Sequence, residues 1–153
     1  MNKILALLIF AASSAPCLLQ ALTVTVTTTG TAATLTYVSN ATGWAITDCN
    51  TNASGVLNIP SSISGFDVTE IRPNAFNDCT SLTSIRIPNS VTVISDATYY
   101  SQGAFSGCTS LTSVTIPSSV TAIGNFAFYG CTGLARVTIP SSVTAIGNFA
   151  FYG

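Results

Sequence analysis

The sequence predicts a repeat solenoid: strands stacked rung on rung, short helical turns between them, and a small β cap at the N-terminal end. Three observations predict it. The stretch Ile116 to Gly130, IPSSVTAIGNFAFYG, recurs letter for letter as Ile139 to Gly153, 23 residues later. Two looser copies precede it, Val68 to Pro88 and Val91 to Pro117, the second carrying an insertion, Asp96 to Ser101, whose removal restores the spacing. Every complete copy holds L-x-x-[IV]-x-I-P, an alternation that suits a strand and closes on a proline that cannot donate to a continuing ladder. A unit of this size cannot bury its own apolar face, so copies must stack and share one core.

The chain opens on Met1, Asn2 and Lys3, followed by the apolar run Ile4 to Ala12 and then Ser13, Ser14, Ala15 and Pro16. A positive start, a short apolar stretch and small residues at a cut after Ala21 or Ala15 describe a secretory signal peptide, here assigned to residues 1–21. A bilayer span needs roughly 20 uninterrupted apolar residues, and the serines and Pro16 break this one. No later segment resembles a transmembrane helix, so no membrane span is expected after cleavage. Cys17 directly after Pro16 is a poor site for lipid attachment.

Residues 22–64 read as an N-terminal capping module. Leu22 to Thr36 alternates apolar residues and threonines around Gly30, the pattern of a β-hairpin. A further strand is expected near Trp44 to Thr47, then a turn at Asn50 to Gly55 and a short strand at Val56 to Ile59. Its physical task is to cover the apolar end of the first repeat. Asn40-Ala41-Thr42 and Asn52-Ala53-Ser54 are glycosylation sequons, a weak signal in loops this rich in Ser, Thr and Asn.

Residues 65–153 hold about three and a half repeats, the last stopping at Gly153 where the pattern calls for Cys and a further strand. Each should contain one strand at L-x-x-[IV]-x-I, a shorter one at V-x-x-I and a helical turn around the Ala-Phe pair. Period 2 sorts the faces. Ile85, Ile87, Val114, Ile116, Val137 and Ile139 point inward, whereas Ser84, Arg86, Ser113, Thr115, Arg136 and Thr138 point outward onto the sheet. Phe76, Phe105, Phe128 and Phe151 share one repeat position and should stack as an internal aromatic column.

The units, typified by IPSSVTAIGNFAFYGCTGLARVTIP, resemble the leucine-rich repeats of the BspA-like surface proteins over about Gly65 to Gly153. Leu22 to Ser64 resembles the module that often precedes such repeats. The resemblance implies a leucine-rich-repeat β-solenoid or horseshoe, and a secreted or cell-surface adhesion module presenting an extended surface to a protein or glycan. Candidate contacts are the outward Ser84, Arg86, Ser113, Thr115, Arg136 and Thr138, together with Tyr99 and Tyr100 in the insertion. Paired aromatics that only one repeat carries suit a contact site; packing down over a neighbouring turn is the competing reading. The other class of function is structural: a spacer, or the start of a longer array, with no recognition of its own. The uncapped last repeat also suggests end-to-end self-association.

Charge and residue types narrow the field. Signal cleavage leaves three Arg against five acids, a net charge of −2, with no His and no basic stretch, so no nucleic-acid footprint is present. Charged residues are 6% of the chain, against about 25% in soluble domains. Ser and Thr must supply the polar surface, which suits an extracellular location. Without His, a Cys or Ser nucleophile lacks its base, and Asp48, Asp67, Glu70, Asp78 and Asp96 occupy unrelated repeat positions, so no enzyme and no cofactor are expected. Cys79, Cys108 and Cys131 fall at one repeat position, with Cys49 in the cap. They read as buried small hydrophobes, a Cys49–Cys79 bridge in an oxidising compartment being the alternative. Solenoid spacing and the lack of His argue against zinc.

Overall fold

A computed structural model describes residues 21–153. The signal peptide expected at residues 1–21 therefore lies outside the described residues, apart from Ala21. The hairpin is formed by β1 (Ala21–Val26) and β2 (Ala33–Ser39), paired antiparallel with Val24 opposite Leu35. Its alternation buries Val24, Val26, Ala33, Leu35 and Tyr37 and leaves the threonines between them outward or half-buried.

From there the chain winds through two parallel ladders. β2 pairs antiparallel with β3 (Trp44–Cys49), and β3 then pairs in parallel with β6 (Phe66–Ile71). The same ladder continues through β8 (Val93–Ile94), β10 (Ala122–Ile123) and β11 (Ala145–Ile146), each supplied by V-x-x-I. The second ladder runs from β4 (Ser54–Asn58) through β7 (Ser81–Arg86) to β9 (Ser113–Thr115). The two-residue strand β5 (Ser62–Ile63) folds back on β6. β3 and β4 thus form a rung continuous with the repeats on both sides, although their sequence lacks the repeat signature.

Each rung closes on a turn after the proline. Val91, Val120 and Val143 donate their N–H groups to the carbonyls of Pro88, Pro117 and Pro140, all at 3.1 Å. The ladder is reinforced by threonines. Thr92, Thr121 and Thr144 each donate a backbone N–H to the threonine one rung earlier, at 3.0, 3.1 and 2.9 Å.

Two sequence expectations are corrected. The Ala-Phe segments are turns rather than helices; the single helical element among the described residues is the 3-10 turn Tyr100–Gln102, inside the insertion. The reason is where the backbone donors go. Phe76, Phe105 and Phe128 donate to Ala104, Ala127 and Ala150 on the following rung, each at 2.7 Å, so these N–H groups bond across rungs instead of along a helix. Left-handed residues also interrupt the segment, at Asn74 (φ 65°) and Asp78 (φ 55°), and at Phe126 (φ 59°) and Gly130 (φ 69°). The second correction concerns Leu134 to Ile139, expected as a strand, which makes one parallel bridge, Thr138 to Thr115. It has a neighbour on one side only, and a ladder with one partner closes fewer bonds per residue.

The insertion also shifts by one residue. Asp96 accepts a hydrogen bond from the Asn125 N–H at 2.7 Å, and Asn125 accepts from the Asn148 N–H at 2.6 Å, so Asp96 occupies the ordinary repeat position of those asparagines. The extra residues are Ala97 to Gln102.

The core is built from columns. Phe76, Phe105, Phe128 and Phe151 stack as expected, with ring centroids 5.0, 4.8 and 5.2 Å apart and planes within 5°. Beside them run Leu82 and Leu111, and Ile71, Ile94 and Ile123, all buried. On the last rung Ile139, Ile146, Phe149, Phe151 and Tyr152 are exposed.

Candidate functional site

The outer face of the β4–β7–β9 sheet collects six of the eight candidate residues. Register places Ser84 beside Ser113, and Arg86 beside Thr115. Thr115 bridges to Thr138, which puts Arg136 beside Ser113 in the adjacent row. Ser84 is half-buried and the other five are exposed. Val114 and Ile116 fill the opposite face of the same strand, so the alternation that builds the core fixes which side chains reach solvent.

An open groove of about 490 Å³ lies between β9 and the Leu134–Ile139 segment, lined by Ser113, Thr115, Arg136 and Thr138, the flanking Thr112 and Pro140, and the edges of Val114 and Ile116. Ser84 and Arg86 continue the two rows next to it. The Thr112 hydroxyl is tied to the Thr83 carbonyl at 3.0 Å, which holds one wall of the groove.

Tyr99 and Tyr100 lie elsewhere, on the turn that crosses from one ladder to the other. They are 62% and 60% exposed. Tyr100 packs against Tyr129 at 5.4 Å with planes 43° apart, and Tyr129 stacks on Tyr152 at 5.4 Å and 12°. The repeat position of Tyr129 is held by Ser106 in the rung before. There the Ser106 hydroxyl donates to the Tyr100 carbonyl at 2.8 Å, so the insertion supplies the ring that its own repeat lacks.

This ridge extends further than the sequence reading anticipated. Phe126 stacks on Phe149 at 5.6 Å and 7°, and meets Tyr129 edge-on at 6.0 Å. The signal available in the sequence was the repeated N-F-A-F-Y itself: Ala127 and Phe128 turn into the core, whereas Phe126, in the left-handed region (φ 59°), and Tyr129 stay half-exposed.

A polar knot fastens the turn between β2 and β3 to the first rungs. Burial pushes the Glu70 carboxyl up, but the Ser95 hydroxyl (2.6 Å), the Arg72 guanidinium (3.4 Å) and the Asn40 amide (3.3 Å) outweigh it and hold the group below its usual range. Arg72 with Glu70 is the only ion pair among the described residues. Both nitrogen and oxygen of the Asn40 side chain are engaged, the oxygen by the Thr42 N–H at 2.9 Å, whereas Asn52 lies on an exposed turn.

The four cysteines of the described residues are buried free thiols. Cys108 and Cys131 donate to the carbonyls of Phe76 and Phe105 on the preceding rungs, at 3.0 and 3.1 Å. Contact with Cys79, together with burial, raises the Cys49 thiol far above the ordinary range, and Cys131 with burial does the same to Cys108. Among the described residues no group of three His, Cys, Asp or Glu is placed to hold a metal ion.

The two-ladder rung, the phenylalanine column and the proline-closed turn are features of a known repeat type. The family model described as BspA type leucine rich repeat region (6 copies) matches residues 98–153. Over residues 98–153 the repeats match the BspA type of leucine-rich repeat. Solved structures agree with the assignment. A leucine rich cell surface protein from Faecalibacterium prausnitzii A2-165 is 28% identical with a TM-score of 0.67, over 78% of this chain and 29% of that one. A leucine-rich repeat protein from Bacteroides capillosus is 26% identical with a TM-score of 0.63, over 75% and 88%. The T. pallidum leucine rich repeat protein is 27% identical with a TM-score of 0.57, over 76% and 63%. The chain thus spans under a third of the Faecalibacterium protein and under two thirds of the T. pallidum one. No curated protein matches it in sequence. Among the described residues no helix is long and apolar enough to cross a membrane.

Proposed function

We propose that this chain is a secreted or cell-surface binding module whose outer β4–β7–β9 face presents an extended surface to a protein or glycan ligand. One observation carries the reading: two rows of outward polar side chains, Ser84–Ser113–Arg136 and Arg86–Thr115–Thr138, flank an open groove. A core alternation places them, but nothing in the core uses them. The N-terminal signal pattern, the low charge and the hydroxyl-rich surface support secretion, as does the description of the Faecalibacterium neighbour as a cell surface protein. No catalytic role is assigned.

The test is a screen of the purified chain against immobilised extracellular proteins and glycans, with Thr115→Trp as the blocking variant and Tyr99→Ala/Tyr100→Ala as the comparison. Loss of a detected ligand in Thr115→Trp with unchanged circular dichroism supports the sheet face. If every detected ligand survives Thr115→Trp, the face is not the site. If the tyrosine variant alone loses it, the turn ridge is.

A structural reading draws on the regular ring stacking, which would serve a spacer equally well. The exposed Ile146, Phe149 and Tyr152 on the last rung suit end-to-end association with a second copy through an isologous contact. Sedimentation should then show dimers at rising concentration, reduced by Phe149→Ser, and a monomer throughout would refute the association.

A further inference from the structure

The outer face of the β4–β7–β9 sheet carries positive charge with nothing to neutralise it. Arg86 and Arg136 both project there, and neither guanidinium has an ion-pair or hydrogen-bond partner among the described residues. The five acids lie elsewhere: Asp48 at the end of β3, Asp67 and Glu70 in β6, Asp78 in a turn and Asp96 at the insertion. None stands in β4, β7, β9 or the Leu134–Ile139 segment. A chain with net negative charge has therefore placed two of its cations on one face and kept every carboxylate off it.

Their spacing is set by the ladder. Arg86 aligns with Thr115 and Thr115 with Thr138, so Arg136 is two strands away and two residues back along the strand. At about 4.8 Å per strand and about 3.3 Å per residue, the two Cα atoms are about 12 Å apart on a diagonal. That diagonal crosses the middle strand between Ser113 and Thr115. Two guanidiniums separated by hydroxyls fit a ligand whose negative charges recur at intervals and are separated by neutral hydroxyl-bearing groups.

Resting on the binding reading above, we propose that the ligand is an acidic polysaccharide carrying a uronate on every second sugar. Arg86 and Arg136 each take one carboxylate, and the hydroxyls of Ser113, Thr115 and Thr138 bond the ring hydroxyls between them. Arginine matches a carboxylate with two parallel N–H donors. An acidic peptide would offer carboxylates too, but an extended peptide also brings backbone donors and acceptors that need a free strand edge. This face offers side-chain hydroxyls, and the backbone groups of β7 are already bonded on both sides within the sheet, so a peptide adding to the free edge of the Leu134–Ile139 segment would lie three strands, about 14 Å, from Arg86 and could not engage both arginines through that edge.

The experiment is titration of the full chain with three probes: an oligosaccharide of alternating glucuronate and N-acetylglucosamine, the same oligosaccharide with its carboxyls reduced to alcohols, and a glutamate homopeptide. The uronate probe should bind, and more weakly as salt rises. The reduced probe should bind at least about tenfold more weakly, and Arg86→Gln and Arg136→Gln should each weaken the uronate complex by about tenfold, with Arg→Lys falling between. Both arginines are exposed, so the variants should keep the wild-type circular dichroism spectrum. Equal binding of the reduced probe, no binding of the uronate probe, or wild-type affinity in Arg136→Gln would overturn the proposal. Tighter binding of the glutamate peptide would replace the glycan by an acidic protein segment while leaving the sheet face as the site. Survival of every screened ligand in Thr115→Trp, by contrast, removes the underlying reading itself.

Discussion

The phenylalanine column invites a quantitative test. Phe105 is fully buried, with parallel rings on both sides at 5.0 and 4.8 Å. Truncation to alanine removes a whole buried ring and leaves a cavity enclosed by two rungs, a change that costs about 3–5 kcal/mol. Phe151 has the same residue type and rotational setting but one ring neighbour, at 5.2 Å, and is 37% exposed. Its truncation forfeits part of the transfer energy and encloses no cavity, so about 1–2 kcal/mol is expected. In a solenoid, stability is close to a sum of rung terms and nearest-neighbour interfaces. Phe105→Ala damages two interfaces where Phe151→Ala damages one. At about 2–4 °C per kcal/mol for a domain of this size, the melting temperature by circular dichroism should fall by about 6–20 °C for Phe105→Ala and by a few degrees for Phe151→Ala. Urea titration should rank them in the same order. Equal losses, or a larger loss for Phe151→Ala, would show that the column does not hold the rungs together and would refute the reasoning.

Three further outcomes are expected. The Glu70 carboxyl has a folded pKa below its unfolded value, so its contribution is present above the unfolded pKa and is lost as pH falls through the folded one. Acid titration of wild type against Glu70→Gln should therefore show the wild-type advantage shrink as the pH falls through and below the ordinary glutamate range, and a pH-independent difference would refute it. Gly124 sits against the preceding rung, where an added Cβ would come within 2.6 Å of the Asp96 nitrogen, so Gly124→Ala should cost about 1–3 kcal/mol in urea denaturation and an unchanged midpoint would contradict the packing. In the chain from Leu22 onward, a charged aromatic disulfide reagent should label the buried thiols of Cys49, Cys79, Cys108 and Cys131 slowly in the native state and completely in denaturant; rapid native labelling would show that they are accessible.

Much of the candidate face was legible because one physical rule connects its outward placement to the core. The placement of Val114 and Ile116 inward dictates that Ser113 and Thr115 face out, and the repeat carries the rule to Arg86 and Arg136. A period of two would put Phe126 on the face of Phe128, but the left-handed Phe126 (φ 59°) breaks that alternation, and the Phe126–Tyr129 ridge went unseen. Tyr99 and Tyr100 were picked out as a contact pair, yet Tyr100 also completes an aromatic column with Tyr129 and Tyr152, a relation between residues 29 and 23 positions apart in sequence.

By itself the sequence determined the rung: its length, the proline that closes it, the phenylalanine that fills it and the faces of its strands. Those follow from periodicity, which is local and repeats. Tertiary structure alone decided that β3 and β4 form a rung without the signature, since parallel pairing depends on backbone register rather than on particular side chains. It also made the Ala-Phe segments non-helical turns, because their N–H groups reach the next rung at 2.7 Å, and a hydrogen bond to a neighbour 22 or more residues away leaves no mark in the local sequence.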